Sequence, residues 1–332
     1  MIPKIWRLIL PTTKSKQANS RGFTLIELLV SMIVASIVIS GLLYLVNQLV
    51  RIDRREASLE NVQRDMQRAM DYITDDLRES VYVYPDPTAV TSLLTDADLP
   101  TGPGGTVATP VIAFWRPEFL SIDESSDLDS VDCTTTFSDP VEADGCEALK
   151  LRQSYYSLVV YFTLGNTPTD NNANWDGQAR IIRYTLPQYK RSVIGPTLAE
   201  TQGYVAPNND FFAWAPEAGV DTDGDWAVLV DYVDAPNSSA LATDCSTFDA
   251  AYTLAPSTAS TSNSFMACVS APGTLALGSN QEVALMLRGS ARTAAQAATI
   301  PSGSSIPNQS VLPSLESRVL VRGAANKNPN GT

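Results

Sequence analysis

From Leu28 to Val50 the chain runs for 23 residues without a formal charge. As a helix at 1.5 Å per residue that segment is about 34 Å long, enough to cross the hydrocarbon of a bilayer. Beyond it the pattern changes without a break. Ile52, Leu59, Val62, Met66, Ala69, Ile73 and Leu77 recur mostly three or four positions apart, among Arg, Asp, Glu and Gln. That spacing predicts a polar helix with one apolar stripe. No proline falls between Phe23 and Tyr84, and Pro85 and Pro87 then end the run, so one helix is expected over 23–84. The stripe needs a cover: the chain's own C-terminal body, or the partner helix of a coiled coil.

Residues 85–110 turn to Pro, Gly, Thr and Asp and read as a linker. After it come short runs rich in β-branched and aromatic residues: Val111–Trp115, Leu158–Leu164, Ala179–Leu186, Trp226–Val233, Val283–Leu287 and Arg318–Val321. Turn-rich stretches separate them, which predicts an antiparallel sheet with long loops over 111–299. Tyr155, Tyr156, Tyr161 and Phe162 read as core and sheet-face packing. Pro117 to Glu147 holds ten acids and no base, and is expected to be a solvated loop. The segment 300–332 is rich in Ser, Pro, Asn and Gly and reads as a loosely ordered tail carrying a last strand at Arg318–Val321. The fold class is α+β.

Charge sharpens this picture. Lys4, Arg7, Lys14, Lys16 and Arg21 give residues 1–22 a charge of +5 with no acid, leaving −18 on the rest of a chain whose total is −13. An acidic body argues against nucleic acid as a partner. The basic start, set before the apolar run, places residues 1–22 in the cytoplasm and the C-terminal body outside, as a single-pass membrane protein. The chain has no histidine, which removes Ser-His-Asp and Cys-His catalysis and His-ligated metals. No carboxylate pair stands out as a catalytic couple, and no enzymatic activity is expected. Cys133, Cys146, Cys245 and Cys268 all lie past the apolar run. An even count on the exported side reads as disulfides, and three pairings are open, Cys133–Cys146 with Cys245–Cys268 among them.

Asp221, Asp223 and Asp225 alternate as in calcium loops. The pattern departs from the EF-hand, because Gly224 falls two places early, Trp226 takes the usual glycine position and Tyr232 stands where the bidentate acid belongs. Asp231 is the substitute ligand. The competing reading is an acidic turn before a strand. Calcium is the one cofactor to consider, and none is required.

The string Gly22-Phe23-Thr24-Leu25-Ile26-Glu27-Leu28-Leu29 carries the most specific signal. An acid at the mouth of a membrane-length apolar run is costly to keep. The string resembles the processing and assembly signal of type IV prepilins and of type II secretion pseudopilins. The resemblance implies cleavage after Gly22 by a membrane-embedded prepilin peptidase, which also N-methylates the new Phe23 amine. A glycine before the cut offers that enzyme bare, flexible backbone. It further implies that Glu27 pairs with the Phe23 amine of a neighbouring pilin or pseudopilin subunit, delivered through an inner-membrane assembly platform. Two charges in low dielectric are each expensive alone and cheaper together.

Three features depart from a major pilin: a 22-residue leader, no proline near the middle of the span, where Tyr44 sits, and 310 residues after Gly22. The large size, sparse sequence signal and extended loops are similar to those of minor subunits, of the W-type minor pilin or J-type pseudopilin kind. Gly177-Gln-Ala-Arg-Ile-Ile-Arg-Tyr-Thr-Leu-Pro187 is similar to pseudopilins of cyanobacterial polysaccharide-secretion clusters. Two other readings stay open: a secreted protein cut near Val38-Ile39-Ser40 with a short apolar core at 28–38, and a plain membrane anchor that never polymerises.

Overall fold

The computed structural model describes residues 22–94, 99–102, 105, 107–138, 140–166, 175–195, 198–207, 211–234, 245, 252–256, 264–270, 281–291, 293 and 314–322. They fall in two compact units, Met1–Glu56 and Ala57–Thr332. The architecture is α+β: a long N-terminal helix followed by antiparallel sheets. Helix α1 covers Leu25–Glu79. It ends five residues before the expected Tyr84, because Val81-Tyr82-Val83-Tyr84 alternates β-formers and pairs instead with a strand. Val81 N–H donates to the Trp115 carbonyl at 2.8 Å and Tyr84 N–H to that of Ala113 at 2.9 Å.

In the second unit the expected stripe is buried. Val62, Met66, Ala69, Ile73 and Leu77 are closed from solvent, and each fully buried side chain of this kind contributes roughly 1.5–3 kcal/mol. The cover is the chain's own body. These residues share one core with Ile112, Phe114, Val159 and Tyr161 of a first sheet and with Phe265, Val283, Leu285 and Val319 of a second.

The first sheet has five strands in the order β1 (Tyr82–Val83), β2 (Thr109–Phe119), β3 (Ser154–Gly165), β4 (Ala179–Pro187) and β5 (Asp225–Val233), all antiparallel. The second is β6 (Tyr252–Ala255), β7 (Phe265–Ser270), β8 (Glu282–Leu287) and β9 (Leu315–Leu320), antiparallel throughout. Strand β3 reads as an unbroken apolar run because both faces are covered. Opposite the α1 side, Trp115, Leu158, Val160 and Tyr184 pack with Tyr204, Phe211 and Trp214. Of the four aromatics near the start of β3, Tyr155, Tyr161 and Phe162 are buried and Tyr156 is half-buried. A side chain bridges the two sheets at β1. Gln281 accepts from Val83 N–H at 3.0 Å and donates Nε2–H to the Val83 carbonyl at 2.8 Å, standing in for a strand backbone.

Two segments differ from expectation. The linker holds a short helix, α2 (Thr88–Thr91), and its end opens β2. The acid-rich stretch is helical rather than loop: α3 (Ile122–Asp129), α4 (Cys133–Thr136) and α5 (Pro140–Arg152). Its acids start these helices. Ser121 and Glu124 form a reciprocal capping box, Asp132 accepts from Thr134 N–H at 3.1 Å, and Pro140 occupies the first turn of α5. Carboxylates at helix N-termini also meet the positive end of the helix dipole. Disulfides join Cys133 to Cys146 and Cys245 to Cys268.

Burial pushes the Tyr155 phenol up to about 12, with Arg191 opposing the shift. A pKa raised in the folded state contributes stability below the unfolded value of about 10 that is lost as pH climbs towards 12. Stability is therefore expected to fall between pH 10 and 12. Spectrophotometric titration should show a phenol class ionising only as the fold opens. Ionisation of every tyrosine near pH 10 with the fold intact would contradict this.

Candidate processing and assembly segment

The described chain begins at Gly22; residues 1–21 of the expected leader lie outside the described residues. Gly22 and Phe23 precede α1 in open chain, with Phe23 81% exposed. A Cβ added at Gly22 would meet nothing within 4 Å, so the fold itself does not demand glycine there. Thr24 starts the helix. Its carbonyl accepts from Leu28 N–H at 3.2 Å, and its hydroxyl lies 3.4 Å from Glu27 N–H. A Thr with an acid three positions on is a helix-start signal, and it places Glu27 in the first turn, where the helix dipole favours a negative charge.

Past Glu27 the helix is apolar and uncovered. An 18-residue window has a mean hydropathy of 2.5 and none of it is buried. Among the described residues α1 is the one helix long and apolar enough to cross a membrane. Its serine hydroxyls are satisfied within the helix: Ser31, Ser36 and Ser40 donate to the carbonyls of Leu28, Ile33 and Ser36 at 2.9, 2.8 and 2.7 Å. Self-bonded hydroxyls cost little in hydrocarbon, where an unmade hydrogen bond is expensive.

Residues 17–43 match the prokaryotic N-terminal methylation motif. The match spans 27 of 332 residues, so it speaks for this segment and not for the β-rich body. No curated protein and no solved structure matches the chain. The motif supports a type IV pilin- or pseudopilin-like precursor, processed by prepilin peptidase and assembled with other pilins. The apolar helix that carries it is consistent with membrane anchoring.

The calcium expectation meets a different arrangement. Lys190 Nζ lies 2.9 Å from Asp223 Oδ2 and 3.8 Å from Asp225 Oδ2, so an ammonium already answers those two charges. The Asp221 carbonyl packs against Gly203. Asp231 is drawn elsewhere, accepting from Gly177 N–H at 2.9 Å and Asn166 Nδ2–H at 3.0 Å. Among the described residues no group of three or more acidic, cysteine or histidine side chains converges on a metal-sized site.

Sequence reasoning missed a buried charge cluster between α1 and the first sheet. Asp76, 5% exposed, accepts from Arg116 Nη1–H, from Arg183 Nε–H at 2.8 Å and from the Tyr161 hydroxyl at 2.6 Å. Arg116 continues to Glu79 and Glu118, and Arg191 links Glu118 to Glu124 of α3. The one clue in the sequence is Asp76 itself, an acid directly beside Leu77 on the apolar stripe.

Proposed function

We propose that this chain is a minor pilin or pseudopilin, cut after Gly22, N-methylated at Phe23 and built into a type IV pilus-like fibre or secretion pseudopilus as a structural or priming subunit. The observation that carries this reading is the Gly22–Glu27 string ahead of the uncharged run, inside the matched motif. The open space around Gly22 supports it, since a glycine that its own fold does not require is explained by the peptidase that must grip the backbone there.

The role is associative rather than catalytic. The precursor crosses the inner membrane once, its leader in the cytoplasm and its β-rich body outside. In the fibre the apolar helices pack together, and Glu27 meets the Phe23 amine of a neighbour. The acid is exposed at the start of its helix, and the amine of a neighbouring copy balances it. The assembly platform of the inner membrane and the prepilin peptidase are the partners this scheme requires. The 310 residues after Gly22 fit a subunit that primes or tips a fibre rather than one repeated along it.

Mass spectrometry of the mature N-terminus tests the reading. N-methyl-Phe23 is expected. A chain beginning at Gly41 would mean secretion after signal-peptidase cleavage, and an uncut Met1 a plain anchor. Glu27→Leu is expected to insert in the membrane normally yet fall at least tenfold in sheared fibres. Normal incorporation, by immunolabelling, would remove Glu27 from assembly.

A further inference from the structure

Where the uncharged run ends, the charges on α1 are sorted by face. At about 100° per residue, Arg51, Arg54 and Arg55 fall within one arc of about 100°, whereas Asp53 and Glu56 lie on the opposite side. Asn47 and Gln48, one turn earlier, stand on the arginine face. All of these residues are exposed.

These arginines are placed unlike the others on the helix. Arg64 meets Glu60 at 3.8 Å, Arg68 meets Asp65 at 3.6 Å and Arg78 meets Asp75 at 2.9 Å, each an acid three or four positions away. That is the spacing at which side chains on a helix touch. No acid stands at that spacing from Arg51, Arg54 or Arg55. Neither Arg51 nor Arg54 has an ion pair among the described residues. Nor do the three serve orientation, since bases at the exported end oppose the bias set by the five ahead of the run.

Their level on the helix fixes what faces them. The run from Leu28 to Val50 fills the hydrocarbon, so the next turn enters the headgroup layer. From Arg51 to Arg55 the helix rises about 6 Å, and that layer is about 5–8 Å deep. The anions at that depth are lipid phosphates. We propose that Arg51, Arg54 and Arg55 form a binding face for the phosphates of anionic phospholipid in the exported leaflet. A guanidinium donates in pairs to phosphate oxygens, and its long apolar stem lets it reach them from the edge of the hydrocarbon. The side-chain amides of Asn47 and Gln48 donate to the ester carbonyls one turn deeper. A choline or ethanolamine headgroup would set a further cation beside three guanidiniums, so lipids without one are preferred. The proposal rests on the reading of α1 as a single membrane span.

The test places the full-length chain in nanodiscs holding equal amounts of phosphatidylglycerol and phosphatidylcholine. Native mass spectrometry after release counts the lipids that stay bound. Retention of phosphatidylglycerol over phosphatidylcholine by roughly tenfold is expected. The triple variant Arg51→Gln, Arg54→Gln, Arg55→Gln should bring the two lipids to parity with both disulfides intact. The double variant Arg64→Gln, Arg68→Gln, further along the same helix, should keep the preference. Equal retention by the parent, a preference that survives in the triple variant, or an equal loss in the double variant would overturn the proposal. So would displacement of the lipid when inorganic phosphate replaces chloride at equal ionic strength, which would mark a site for free phosphate. If the parent shows no preference while the triple variant drops out of fibres, the arginines answer to acids of a neighbouring subunit instead. Membranes of the expressing cells are washed with carbonate in parallel. A chain that resists extraction yet shows no lipid preference ends the lipid face alone, whereas a chain that carbonate releases ends the membrane span and this site with it.

Discussion

Asp76→Ala is expected to destabilise the body by about 3–5 kcal/mol, the usual effect of stripping one partner from a buried charge group. The carboxylate is 5% exposed, and its guanidinium partners Arg116 and Arg183 keep only 16% and 18% of their side-chain surface. Removing the acid leaves two cations facing each other beneath α1 and takes the acceptor from the Tyr161 hydroxyl. In the intact cluster, burial and then the neighbouring carboxylate hold that phenol well above its ordinary pKa. Arg116 has Glu79 and Glu118 to fall back on. Among the described residues Arg183 has Thr185 and the ring of Tyr72 as its other contacts, so most of the loss should trace to it. In thermal unfolding the change corresponds to a drop on the order of 10 °C. Asp76→Ala combined with Arg183→Met should recover part of it, since the stranded charge is then gone. A single mutant within 1 kcal/mol of the parent would show that water reaches the cluster and that it does not hold helix to sheet.

The second large effect belongs to the disulfide between Cys133 and Cys146, which ties α4 to α5 across 13 residues. Loop-closure entropy assigns such a bond about 3 kcal/mol. Both cysteines lie in a small core with Leu128, Leu149, Tyr155 and Tyr189, separate from the core beneath α1. A separate core opens separately. Replacing both cysteines by alanine should therefore raise amide exchange through 122–152 by roughly a hundredfold, while strands β2 to β4 keep their protection. Uniform loss of protection across the first sheet would mean that the helical insertion and the sheet unfold as one unit. Unchanged exchange in 122–152 would mean that the capping contacts suffice without the bond.

The long helix was legible because a membrane-length apolar run and a stripe at helical spacing are strong, local signals. So was each strand whose β-branched run fills a sheet covered on both faces: 158–164 and 179–186 lie inside β3 and β4. Elements resting on polar chemistry were not legible. The helices over 122–152 are announced by Ser121, Glu124, Asp132 and Pro140, residues that composition alone assigns to solvent. Strands β6 and β7 are short and bordered by Ser- and Thr-rich chain, so their burial comes from sheet neighbours far away in sequence. The processing segment was readable for the opposite reason. Its residues answer to an enzyme and a neighbour rather than to the fold, and such demands are written contiguously. The Asp76 cluster gathers from α1, β2, β3 and β4, and no window of sequence contains it.

Gln281 carries a liability of a chemical kind. Its amide nitrogen faces two carbonyls, Val83 at 2.8 Å and Ser270 at 3.4 Å, in a place 7% open to water. Hydrolysis of that amide to a carboxylate would turn a donor into an anion pressed against two lone pairs, at the point where the sheets meet. One changed atom would thus loosen the seam between the two sheets.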